Sequence, residues 1–155
     1  KLWVVEMGDY PLGGEGADFI NAGDGRDIVF SGTGDDTTFG GADADLIYGE
    51  AGSDRVFGDA GDDMISGGAG DDTIFGGAGN DVIVAETGDG NDVYEVDSSS
   101  EKVIEFAGGG IDQVNSSVNF TLGAGTGSAA GPTARSFGCA TRTSTRPIIR
   151  STRRS

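Results

Sequence analysis

Aspartate recurs along this chain at a fixed step. Asp18, Asp27, Asp36, Asp45, Asp54, Asp63, Asp72 and Asp81 are each nine residues apart, and Asp92 follows after two extra residues, Ala85 and Glu86. A carboxylate can act as acid, base, nucleophile or ligand to a hard cation, and its neighbours decide which. Paired acids such as Asp35-Asp36, Asp62-Asp63 and Asp71-Asp72 recur in several units, whereas a glycosidase needs one acid and one nucleophile in a single sugar-binding cleft. The chain has no His and one Cys, which excludes an imidazole base, a Cys/His zinc site, a Ser-His-Asp triad and an intrachain disulfide. An EF-hand needs flanking helices, for which nine-residue units leave no room. Pieces resembling G-x-G-x-x-G have no helix after them to present a phosphate site. Ligation of a cation by oxygen remains.

The elements that must position these carboxylates follow from the units themselves: GGEGADFIN, AGDGRDIVF, SGTGDDTTF, GGADADLIY, GEAGSDRVF, GDAGDDMIS, GGAGDDTIF, GGAGNDVIV and, after the insertion, TGDGNDVYE. Each reads as a six-residue turn, with Gly at places where ordinary residues strain, followed by a three-residue strand. Two places after each Asp stands a β-branched or aromatic residue: Ile20, Val29, Thr38, Ile47, Val56, Ile65, Ile74, Ile83 or Tyr94. Strand alternation turns that eighth-place residue inward and the seventh and ninth outward, Phe30, Phe39, Tyr48, Phe57 and Phe75 among the latter. Two units make one turn of a flattened solenoid, so loops eighteen residues apart stack. Asp18, Asp36, Asp54 and Asp72 then line one edge, and Asp27, Asp45, Asp63 and Asp81 the other. Carboxylates stacked at about 4.8 Å repel unless a cation lies between them. Calcium, with 6–8 oxygen ligands, suits a Gly-rich turn offering carbonyls beside a carboxylate better than magnesium does.

The charge is concentrated where the repeats are. Of 155 residues 30 are Gly, 26 acidic and 10 basic, a net charge of −16. Residues 13–96 carry 20 acids against Arg26 and Arg55, a net of −18, whereas residues 130–155 carry six Arg and no acid. Such a body repels nucleic acid and anionic lipid, and no window approaches the 18 or more apolar residues of a transmembrane helix. Four segments result. Residues 1–12 form an N-terminal strand, from Leu2, Trp3, Val4 and Val5, or the remnant of a preceding domain. Residues 13–96 are the repeat array. Residues 97–129 supply capping strands, near 102–106 and 112–121, around the turn Gly108-Gly109-Gly110, because an end repeat exposes an apolar edge. Residues 130–155 read as a disordered basic tail or as a truncated or frame-shifted end, in which Cys139 is an incidental thiol.

With nine phased copies over residues 13–95, the chain resembles the hemolysin-type calcium-binding nonapeptide of RTX proteins, G-G-x-G-x-D-x-U-x. The resemblance implies an all-β fold: a parallel β-roll, or right-handed β-solenoid, with a C-terminal β cap and calcium between successive turns. It implies a secreted, extracellular protein with the type I secretion machinery as partner, as in toxins, proteases, lipases and alginate epimerases. Carried over residue by residue, the metal ligands are Asp18, Asp27, Asp36, Asp45, Asp54, Asp63, Asp72 and Asp81, with Asp92 weaker because the insertion shifts its phase. Stacked pairs imply about six calcium ions, and one more if Asp92 joins. Units containing Asp43, Glu50, Asp59 or Thr38 depart from the pattern, and Asp63, Asp72 and Asp81 lie in the cleanest stretch. A thin core and a net of −18 predict folding that depends on calcium. This span is expected to be a non-catalytic secretion and folding module of a larger protein; the alternative is an extracellular structural or adhesive protein using the roll as a surface.

Overall fold

The computed structural model describes residues 2–4, 11–85, 90–105, 112–118 and 135–138. The described residues are strands and turns, without a helix: β1 (Leu2–Val4), β2 (Leu12–Glu15), β3 (Phe19–Asp24), β4 (Ile28–Thr33), β5 (Thr37–Ala42), β6 (Leu46–Ala51), β7 (Arg55–Ala60), β8 (Met64–Ser66), β9 (Thr73–Ala78), β10 (Val82–Ala85), β11 (Val93–Val96), β12 (Lys102–Glu105), β13 (Gln113–Ser116) and β14 (Arg135–Gly138). They form two parallel sheets. One runs β1-β3-β5-β7-β9-β11-β13-β14 and the other β12-β10-β8-β6-β4-β2, so the chain alternates between sheets at every repeat, as expected of a β-roll.

The inward residues stack in register. Ile20, Thr38, Val56, Ile74, Tyr94 and Val114 are successive partners in the first sheet. Val29, Ile47, Ile65, Ile83 and Val103 do the same in the second. All eleven are buried, and a fully buried Ile or Val contributes about 1.5–3 kcal/mol. Thr38 keeps its place because its Oγ1 lies 2.8 Å from Oγ of the equally buried Ser31, so neither hydroxyl is left without a partner.

The strands are longer than the repeat suggests. Instead of three residues, β3 to β7 and β9 each run six, through the first three places of the following unit. The reason is the second-place residue. Gly23 has φ 100° and Gly41 φ 114°, yet the two pair in the ladder between β3 and β5. The chain bends there without leaving the sheet. Fourth-place amides extend the bonding further, as in Gly25 N–H to Ala42 O at 3.0 Å and Gly61 N–H to Ala78 O at 3.0 Å.

The flanks continue the same construction. After the insertion the register steps by twenty instead of eighteen, pairing Ile74 with Tyr94, Ile83 with Val103 and Tyr94 with Val114. Strands β12 and β13 therefore extend both sheets in parallel. Strand β1 pairs with β3, and β14, within the segment assigned to disorder, pairs with β13. The rest of that tail, the 108–110 turn and Cys139 lie outside the described residues.

Candidate metal centre

Each sixth-place aspartate sits where a turn re-enters a strand, and its backbone amide reaches along the roll. The N–H of Asp18 donates to Oδ1 of Asp36 at 2.7 Å, that of Asp36 to Asp54 at 2.8 Å, and that of Asp54 to Asp72 at 2.9 Å. On the other edge Asp27 donates to Asp45 at 2.8 Å, Asp45 to Asp63 at 2.8 Å, and Asp63 to Asp81 at 3.0 Å. The eight regular aspartates thus form two rows, as their spacing predicts. Asp92 joins the first row, its Oδ1 accepting from Asp72 N–H at 2.9 Å, because the twenty-residue step absorbs the insertion. It differs in another respect: the Tyr94 hydroxyl donates to its Oδ2 at 3.0 Å.

The bond to the neighbouring turn uses one carboxylate oxygen and leaves the other facing inward. Oδ2 of Asp36, Asp45, Asp54, Asp63, Asp72 and Asp81 is buried without a hydrogen-bond partner, and these residues are at most 4% exposed. Glycine makes the room. A Cβ on Gly40, Gly49 or Gly76 would stand 2.7, 2.6 or 2.6 Å from Oδ2 of Asp45, Asp54 or Asp81, five residues on. At the second and fourth places the turns stack so closely that a Cβ on Gly41 would overlap the Gly23 carbonyl oxygen, and one on Gly52 that of Gly34. The three departures Asp43, Glu50 and Asp59 nevertheless hold φ of 78°, 73° and 71°, the left-handed region where a side chain is strained.

Burial raises the carboxyls, and the next acid in the row raises them further, against the lowering effect of the backbone bond. Asp45 and Asp54 are pushed up to about 6, Asp63 and Asp72 to about 7. Asp36, Asp81 and Asp92 move in the same direction, again chiefly through burial. A row of ionised carboxylates buried with open oxygens is unfavourable as bare protein, and a divalent cation removes the conflict.

The fifth-place acids have a different task. Oδ1 of Asp35 accepts from Ser53 N–H at 2.9 Å, that of Asp62 from Asn80 N–H at 2.9 Å, and that of Asp71 from Asn91 N–H at 2.7 Å. Adjacent aspartates therefore point opposite ways along the roll, the fifth place capping the next turn on the surface and the sixth the previous turn in the interior.

Two residues continue the rows beyond those identified from spacing. Asp112 accepts from Asp92 N–H at 3.0 Å, and Glu101 occupies the corresponding place after Asp81, with Lys102 N–H donating to Asp81 O at 2.8 Å. The signal for both is an acid two places before a buried valine, Val103 or Val114, at a step of twenty.

Among the described residues no three carboxylates, thiols or imidazoles converge on one point. Each sixth-place carboxylate stands one turn from the next in its row, and turn carbonyls are the other oxygens available, a hard all-oxygen set matching calcium. A family model described as the RTX calcium-binding nonapeptide repeat matches four times, over residues 12–38, 30–65, 48–83 and 57–94. No curated protein and no solved structure matches the chain.

Proposed function

The chain belongs to the RTX calcium-binding nonapeptide repeat family, its matches together spanning residues 12–94, and from that premise we propose that its repeats fold a secreted protein when calcium reaches them. The carboxylate ligands in this reading are Asp18, Asp27, Asp36, Asp45, Asp54, Asp63, Asp72 and Asp81. About six ions lie between stacked pairs. A seventh at Asp72 and Asp92 is supported by their backbone bond and weakened by the Tyr94 hydroxyl on Asp92. The observation that carries the reading is the row of buried Oδ2 atoms without partners.

Folding and ligation are then one event. Without calcium, charge repulsion along the rows keeps the repeats unfolded, a state suited to threading through a type I secretion channel; calcium outside the cell contributes folding free energy directly. The span itself is read as non-catalytic, lacking any His. Calcium titrated into chelated protein while circular dichroism is followed tests this. A full β signal in excess chelator at neutral pH refutes it.

A second reading, adhesion through the outer face, draws on one observation. Phe39, Phe57 and Phe75 stack with centroids 4.7 Å apart, and the ladder borders a groove of about 620 Å³ that Asp59, Glu95 and Asp97 also line. Retention of the calcium-loaded protein on a polysaccharide or cell surface, lost in Phe57→Ala, distinguishes this from a folding module alone.

A further inference from the structure

Glu101 lies beyond the span matched by the repeat family, in a turn where Val96, Asp97 and Ser99 stand at the glycine places of the motif. It is 3% exposed, and no amide of a neighbouring turn reaches either of its carboxylate oxygens, its hydrogen-bonding contact being with Asp97 of its own turn. Asp97 of the same turn stands beside it, and Asp81 of the previous turn adds its charge. The adjacent Lys102 is exposed and lies at an outward-facing place of the strand, opposite in direction to buried Val103.

The contrast with the aspartate rows is informative. There one oxygen of each carboxylate is committed to a backbone amide of the neighbouring turn, leaving a single open oxygen. Glu101, longer by one methylene, commits neither oxygen to a neighbouring turn. A buried carboxylate tied to no neighbouring turn and held against a second carboxylate is an arrangement that a hard cation, able to accept bidentate ligation, satisfies.

We propose a further calcium site, distinct from the nonapeptide array, in which Glu101 and Asp97 supply the carboxylates, turn carbonyls complete the set, and Asp81 strengthens the local field. The kind of ion rests on the calcium reading given above; the location rests on Glu101 alone. An ion there holds Glu101 and Asp97 together in the turn that leads into β12.

The test is a count of calcium bound per chain by equilibrium dialysis on the full chain, wild type against Glu101→Gln, Asp97→Asn and, as an array control, Asp63→Asn. Glu101→Gln keeps the shape, so the expected result is the loss of one ion with the others retained. Asp97→Asn, at an exposed residue, weakens the same ion at least tenfold and serves where Glu101→Gln does not fold. A wild-type count preserved at unchanged affinity in both variants overturns the site and leaves the array intact. A wild type that binds no calcium overturns the array reading itself, a result recognisable before any variant is made.

Discussion

The backbone N–H of Asp45 donates to Oδ1 of Asp63 at 2.8 Å, while Oδ2 of the same carboxylate is buried with nothing to receive it. In the calcium reading proposed above, one side chain performs a structural and a ligand role with separate atoms. Asp63→Asn separates them, because the amide oxygen still accepts from Asp45 and the charge is gone. The calcium-free protein is expected to gain about 1 kcal/mol from the relieved repulsion, and the calcium midpoint to rise about tenfold, equivalent to about 1.4 kcal/mol. The pH at which the chelated chain loses its β signal, expected to be higher in the variant, and calcium titrations by circular dichroism measure the two effects, and an unchanged midpoint contradicts the assignment.

Protonation is the second way to quiet the rows. Asp45 and Asp54 rise to about 6 and Asp63 and Asp72 to about 7 in the fold, from 3.8. Between those limits the folded chain holds more protons than the unfolded one, so calcium-free stability falls as pH rises from about 4 to about 7. Calcium needs the ionised form, so its affinity rises across the same window and binding there releases protons. The chelated protein is expected to show more β structure at about pH 5 than at about pH 8. Calorimetry in buffers of different ionisation enthalpy should show more protons released per calcium at about pH 6 than at about pH 8.5. A calcium-free chain that gains stability on going from acid to neutral pH contradicts the argument.

Neighbouring residues Gly58 and Asp59 should respond oppositely to substitution. A Cβ on Gly58 would stand 2.5 Å from Oδ2 of Asp63 and would overlap the Gly76 carbonyl oxygen. Gly58→Ala therefore costs about 1–3 kcal/mol, the range for overpacking a tight site. Asp59 has φ 71° and an acid that burial raises, so Asp59→Gly removes strain of about 1 kcal/mol, partly offset by the greater freedom of the unfolded chain. Thermal melts in saturating calcium should lower Tm for the first and raise it for the second.

The nine-residue phase made the sheets, the core and both aspartate rows legible, because every regular unit repeats the same contact and a stack of identical turns has one register. Strand length was not legible, since glycine at the second place reads as a turn yet Gly23 and Gly41 pair across the ladder. Glu101 and Asp112 escaped for a different reason. Their turns are two residues longer, so a search at eighteen steps past them, and only the three-dimensional stack shows Lys102 N–H bonded to Asp81 O as Val82 N–H is to Asp63 O. The assignment of one carboxylate oxygen to the neighbouring turn and the other to a ligand depends on side-chain direction, which spacing does not encode.

Thr38 is the one polar residue in the otherwise apolar inward series, and its partner across the roll explains why it is tolerated. Thr38 Oγ1 and Ser31 Oγ are 2.8 Å apart and both residues are fully buried. Thr38→Val keeps the volume but leaves the Ser31 hydroxyl alone in the core, at a cost of about 1–3 kcal/mol. Ser31→Ala leaves Thr38 in the same position with a similar loss. The double variant removes both hydroxyls, and since an apolar pair needs no partner, its stability should return to within about 1 kcal/mol of the parent. A double-mutant cycle from denaturant melts in saturating calcium measures the coupling. Additive losses in the double variant would show that the two hydroxyls do not depend on one another.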